Sequence, residues 1–184
     1  SAPDCNTAQA GWWEITRTTM TQRHFDQDLA GLKEKLLTMA SCAETAVTQA
    51  VRALVDRDDP LASQVKEADS RLDQFEIELD ELCIDLLALK APIASDLRLI
   101  TGAMKITQNL ERVGDEATKI AKSARALNRE EPLKPFVDVP RLADLATQML
   151  KSSLDAFVKA DTAQADGVGA FLDDLAGKFG GCAA

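Results

Sequence analysis

The sequence predicts an all-α protein: an elongated antiparallel three-helix bundle, followed by a fourth helix left over from an incomplete second bundle. Three observations carry this. Ala, Leu, Asp, Glu, Lys and Arg dominate a chain of 184 residues in which aromatics are only 4% and tyrosine is absent; these are mostly good helix formers, whereas sheets favour β-branched and aromatic residues. Apolar residues recur at alternating steps of four and three over long stretches, the seam of a bundle helix. Proline-containing turns then divide these stretches into pieces of about 30 residues, each roughly 45 Å long at the helical rise.

Residues 1–20 show no such periodicity, and adjacent Trp12 and Trp13 fit no single face. We expect an unstructured extension there, with Met20 as the natural start; the alternative is an ordered arm that docks its tryptophans on the bundle. The first helix is expected from about Thr21 to Asp56, with Phe25, Leu29, Leu32, Leu36, Met39, Ala43, Val47, Ala50 and Leu54 on its seam. Asp58-Asp59-Pro60 should end it, with Asp59 capping the next helix and Pro60 at its first position. That second helix should run from Pro60 to Lys90 on the seam Leu61, Val65, Ala68, Leu72, Phe75, Leu79, Leu82, Leu86, Leu89. Pro92 breaks it, because proline disfavours helix at the residue before it. The third helix should start near Ser95, a plausible cap, with Asp96 favourably placed in its first turn. Its seam is Ile100, Ala103, Thr107, Leu110, Val113, Ala117, Ile120, Ala124, Leu127. Residues 21–128 therefore form the bundle, and 129–140, with Pro132, Pro135 and Pro140, read as a linker. A fourth helix follows to about Ala163, with Leu142, Leu145, Met149, Leu154 and Phe157 on one side, and residues 164–184 form a glycine-rich tail with at most a weak amphipathic piece. An exposed stripe on the fourth helix would favour a homodimer or higher oligomer.

The formal net charge of -9 argues against nucleic acid and anionic lipid, whose recognition relies on lysine and arginine, and suits cations and basic partners. No apolar run is long enough to span a bilayer and no secretory signal is evident, so a cytoplasmic location is expected. Cys5, Cys42, Cys83 and Cys182 have long, irregular gaps; free thiols in a reducing compartment are the simplest reading.

Two carboxylate pairs at i, i+4 stand out: Asp69 with Asp73, and Glu111 with Asp115. Residues four apart share a helix face, and like charges there repel unless a cation is bound. Hard cations accept carboxylate oxygen. The pairs centre on residues 71 and 113, each 21 residues from Pro92 (92 - 71 and 113 - 92), so an antiparallel hairpin brings them to one height. The alternative is a solvated acidic face neutralised by Lys66, Arg71, Arg112 and Lys119 in weak surface ion pairs. A ferritin-like di-iron enzyme would need Glu-x-x-His on two helices, and His24 is the only histidine. No nucleophile elbow, phosphate-cradling loop or Cys–His partnership is present, so no enzyme is expected. Gly102 and Gly114 lie inside the third helix, where glycine costs about 1 kcal/mol relative to alanine; close helix packing explains them, or, for Gly114, room for a ligand beside Glu111 and Asp115.

The run from Leu86 through Pro92 to Arg98 resembles the turn between helices two and three of the PhoU family, and Asn109-Leu110-Glu111-Arg112-Val113-Gly114-Asp115-Glu116-Ala117 resembles its metal motif. The resemblance covers roughly residues 21–163. It implies two repeated three-helix bundles, of which the second is cut short here: residues 141–163 would be its first helix. It implies a multivalent metal ion, Fe, Mn, Zn or Mg, at Asp69, Asp73, Glu111 and Asp115. It also implies a regulatory adaptor that restrains phosphate uptake and the phosphate-starvation response through a sensor histidine kinase and a transporter ATPase. The competing reading is a non-catalytic helical interaction protein without metal.

Overall fold

The computed structural model describes residues 5–90, 92–131 and 136–179. Among them it contains five helices and no strand: α1 (Cys5–Val55), α2 (Asp59–Lys90), α3 (Ala94–Leu127), α4 (Asp138–Lys159) and α5 (Thr162–Phe179). The first three pack pairwise into the expected bundle; α4 lies along α1, and α5 folds back onto α4. Pro132, Pro135, Cys182 and the last residues of the tail fall outside the described residues, as do the side chains of Trp12 and Trp13.

The core follows the seams. Leu32, Leu36 and Met39 of α1, Leu72 and Leu79 of α2, and Ile100 and Leu110 of α3 are almost wholly buried. Around them lies one cluster of large side chains; a second, toward the α1–α2 turn, is built from Ala46, Ala50, Ala53, Ala62, Val65, Ala117 and Ala121. Alanine lets helices approach closely, so the bundle passes from wide leucine packing to tight alanine packing along its length. Gly114 is buried near this transition. Ala68, expected on the α2 seam, is exposed, and on α3 the buried face extends past the seam to Gly114, Thr118 and Ala121.

Several boundaries differ from expectation. Helix α1 starts at Cys5 rather than Thr21. Residues 5–20 contain no proline, and extending an existing helix avoids the cost of nucleation. Asp58, not Asp59, caps α2: its Oδ1 accepts from the Leu61 amide at 2.9 Å. The cap moves because Arg57 takes a left-handed conformation (φ 57°) and the Asp58 amide closes back on Ala53 O at 3.0 Å. That turn is tied to the far end of α3, where Arg57 Nη2 donates to Leu127 O at 3.0 Å and Glu130 O at 2.5 Å, and Asn128 Nδ2 to Asp59 Oδ1 at 2.6 Å. Ser95 does not cap α3; Ile93 precedes the helix and supplies no side-chain cap, so Ser95 lies inside the first turn.

The fourth helix does not stand bare. Leu154 and Ala156 are buried, Leu154 in the large-residue cluster of the bundle, and Lys33 Nζ reaches Val158 O at 3.3 Å. Phe157 covers Gly102 of α3 so closely that a Cβ there would lie 2.9 Å from its ring; close packing thus explains this glycine. The helix ends at Lys159, earlier than Ala163, because Ala160 is left-handed (φ 53°) and Asp161 caps the next helix through the Gln164 amide at 3.0 Å. The glycine-rich segment accordingly forms α5 rather than a loose tail, its Val168 and Phe171 facing Met149 and Ser152 of α4. A left-handed alanine costs about 1–2 kcal/mol, which glycine avoids. Ala160→Gly is therefore expected to raise the unfolding free energy by about 1 kcal/mol, seen as a higher urea midpoint at unchanged slope.

Candidate metal centre

The antiparallel α2–α3 pair brings all four sequence-selected carboxylates to one stretch of one groove. Asp69 and Glu111 are half-buried in it, and Asp73 and Asp115 stand exposed at its edge. The two helices lie close together at Gly114. A Cβ on this residue would collide with Leu72 Cδ1 and lie 3.4 Å from Asp69 Oδ1. The absence of a side chain at 114 therefore does two things. It lets Leu72 seat fully in the core, and it leaves room for the Asp69 carboxylate against α3 at Gly114, near Asp115 and Thr118.

The electrostatics match this crowding. Burial pushes the Asp69 carboxyl above its ordinary range, and the Asp73 and Asp115 charges add to it, against the Thr118 hydroxyl and the Lys122 ammonium, which favour the charged form. Glu111 is also raised, by burial first and then by the charges of Asp115, Glu76, Asp73 and Asp69. Glu76 is the residue that sequence reasoning missed. Asp69, Asp73 and Glu76 recur at helical steps of four and three, so they share one acidic edge of α2. The signal was present: the mirror position of Glu111 across the turn is residue 73, and Glu76 lies within one turn of it.

Two of the cations expected to neutralise the pairs have other contacts, although Lys119 also feels the Asp115 charge. Lys119 Nζ pairs with Glu116 at 2.8 Å, and the Arg71 guanidinium lies 5.7 Å from the Phe75 ring centroid. As the side chains stand, no three His, Cys, Asp or Glu groups among the described residues are arranged to hold a metal ion. The donor chemistry nevertheless suits a hard cation: it is all oxygen, it is partly desolvated at Asp69 and Glu111, and the gap at Gly114 leaves room for one carboxylate in the groove.

The sulfur chemistry points away from this groove. Cys83 is fully buried, its Sγ 3.9 Å from Ile100 O, and burial pushes its thiol up to about 11. It is a core residue rather than a nucleophile.

Comparison with known proteins agrees with the helical-bundle fold. Residues 36–124 match the PhoU domain model. A crystal structure of PhoU from Pseudomonas aeruginosa superimposes with a TM-score of 0.79 at 36% identity, over 84% of this chain and 75% of that one. The chain belongs to the PhoU family. A phosphate-specific transport system accessory protein PhoU homolog from Pseudomonas putida is 41% identical over 140 residues, 76% of this chain and 55% of that protein. A homolog of the same name from Aquifex aeolicus is 37% identical over 74% of this chain and 62% of its own length. The chain thus spans little more than half the length of these relatives. The matched PhoU domain holds all four carboxylates, Glu76, Gly114 and Thr118. Among the described residues no helix is long and apolar enough to cross a membrane.

Proposed function

We propose that this PhoU-family chain is a metal-binding regulatory adaptor of phosphate homeostasis, non-catalytic and cytoplasmic. It would lower phosphate uptake and the phosphate-starvation response through a transporter ATPase and a sensor histidine kinase. The observation that carries the metal reading is the acidic edge of α2 facing that of α3 across Gly114, with two carboxyls raised by desolvation and mutual repulsion. Asp69, Asp73, Glu111 and Asp115 would hold the ion, with Glu76 beside Glu111. When bound, a multivalent cation (Fe, Mn, Zn or Mg) would add positive charge beyond what Lys122 gives Asp69. The chain's own contribution is to present these oxygens on two long, rigid helices fixed by Leu72 and the core behind it. Binding there would couple α2 to α3 and turn a repulsive seam into an attractive one.

The regulatory role is supported by the names of the relatives, which are accessory proteins of phosphate-specific transport. A second reading, a helical interaction protein without metal, is favoured by the fact that no three such groups among the described residues are arranged to hold an ion. One experiment separates them. The purified chain is freed of metal with chelator, then melted with and without Fe(II), Mn(II), Zn(II) and Mg(II). The metal reading expects a rise in Tm with at least one ion and metal retained after desalting. No rise with any of them leaves the metal-free reading. For partners, the chain used as bait in phosphate-replete cells is expected to retain the transporter ATPase or the sensor kinase. Replacing Glu111 and Asp115 by alanine should weaken that capture only if metal matters to it.

A further inference from the structure

Threonine in a helix usually turns its hydroxyl back to the carbonyl four residues before. Thr38, Thr45, Thr48, Thr101, Thr107 and Thr147 all do so here, at 2.7–3.0 Å. Thr118 does not. It is only 4% exposed, and its Oγ1 is buried without a hydrogen-bond partner among the described residues. A buried hydroxyl left open in this way is unfavourable, because its lost hydration is not replaced. Backbone sterics do not require it, since fully buried Thr107, on the same helix, makes the back-bond at 3.0 Å.

The open hydroxyl lies one turn beyond Gly114 on the same face of α3, and Asp69 Oδ1 approaches that face at Gly114. It is near enough to that carboxylate to favour its charge, although no closed hydrogen bond is formed. A carboxylate has two oxygens. Held at one of them, it swings about its Cβ–Cγ bond; held at both, it has one orientation. We infer that Thr118 is a positioning residue for the metal centre: its hydroxyl donates to one oxygen of Asp69 and turns the other toward Glu111 and Asp115. The inference rests on the metal reading above. Thr118 touches no cation itself. It acts through Asp69, as partners behind metal-ligating side chains generally do, and their loss typically costs 10–100-fold in metal affinity. Lys122, one turn further on, adds favourable charge to Asp69, but a lysine ammonium on a flexible stem does not fix an orientation.

The test compares Thr118→Val, which keeps the shape and removes the hydroxyl, with Thr118→Ser, which keeps the hydroxyl. Mn(II) affinity is measured by calorimetry on the purified chain, and Tm is measured without metal. Thr118→Val is expected to bind Mn(II) about tenfold more weakly while melting at or above the wild-type temperature without metal. Thr118→Ser is expected to bind as wild type does. A role in packing alone would change Tm and leave the affinity ratio at one. Equal affinity in wild type and Thr118→Val overturns the inference and leaves the metal centre standing. So does a loss in Thr118→Ser as large as that in Thr118→Val. Failure of the wild-type chain to bind Mn(II) or any of the other three ions overturns both.

Discussion

Neutralising the two half-buried carboxylates together, as Asp69→Asn with Glu111→Gln, is expected to stabilise the metal-free chain and to abolish its response to metal. Both groups have folded-state pKa values above their ordinary 3.8 and 4.5, mainly through burial. A raised carboxyl means that the folded chain holds protons more tightly than the unfolded chain, so stability falls as pH rises. The contribution is fully present below the ordinary values and is lost as pH passes through the raised ones. In wild type without metal, Tm should therefore decline on going upward from about pH 4. The double variant should lack this part of the decline. Because the groups are partly solvated, the gain at pH 7 is set by the few tenths of a kcal/mol that each i, i+4 repulsion costs, about 1 kcal/mol or less in sum, or at most about 2–4 °C for a chain of this size. The metal arm is larger. At a free ion concentration 100 times its dissociation constant, wild type gains about 2.7 kcal/mol, and the variant gains nothing. Melts in chelator and in Mn(II), across pH 4–8, read both arms at once. A variant that still rises with Mn(II) as far as wild type would show that the ion binds elsewhere.

How much of this was legible beforehand depends on the length scale over which each feature is decided. The helices of the bundle were readable because a seam of four-three steps is a local property repeated many times. The common height of Asp69/Asp73 and Glu111/Asp115 followed from counting residues to Pro92, since an antiparallel hairpin has one free parameter. The direction in which those groups face did not follow. It depends on how far the α3 core rotates beyond its seam to take in Gly114 and Thr118. Thr118 was invisible because a helical threonine normally satisfies itself, and only coordinates reveal the one that does not. The caps were displaced by a residue for a similar reason: Asp58 and Asp59 are equally good caps by type, and the left-handed Arg57 decides between them. The docking of α4 on α1 and the formation of α5 were missed because both are tertiary. Phe157 finds its place on Gly102, a glycine 55 residues earlier, and α5 tolerates Gly167 and Gly169 because it lies against α4.

Gly114→Val is expected to cost stability and metal response together, because this residue joins the fold to the site. The new side chain enters the space of Leu72 Cδ1 and presses toward Asp69 Oδ1. Leu72 is 1% exposed and has nowhere to retreat, so α2 must shift from α3. Overpacking of this kind costs about 1–3 kcal/mol, and the better helix propensity of valine returns only a few tenths. The net loss is expected to be about 1–2.5 kcal/mol, or roughly 2–10 °C in Tm. The same displacement separates Asp69 from Glu111 and Asp115, so the Mn(II)-induced rise in Tm should shrink as well. Gly102→Val is the control. It displaces Phe157 and loosens α4 but leaves the α2–α3 groove alone, so it should lower Tm while preserving the metal response. The cause can be isolated further by adding Leu72→Ala. That change alone costs about 2–5 kcal/mol through its cavity, but in the Gly114→Val background the cavity receives the valine. The double variant should therefore be more stable than the sum of the two losses implies, by about 1 kcal/mol or more, as expected for residues in direct contact. Strict additivity would mean that Gly114 and Leu72 do not set the spacing of the two helices, and the geometric basis for a shared carboxylate site would fall with it.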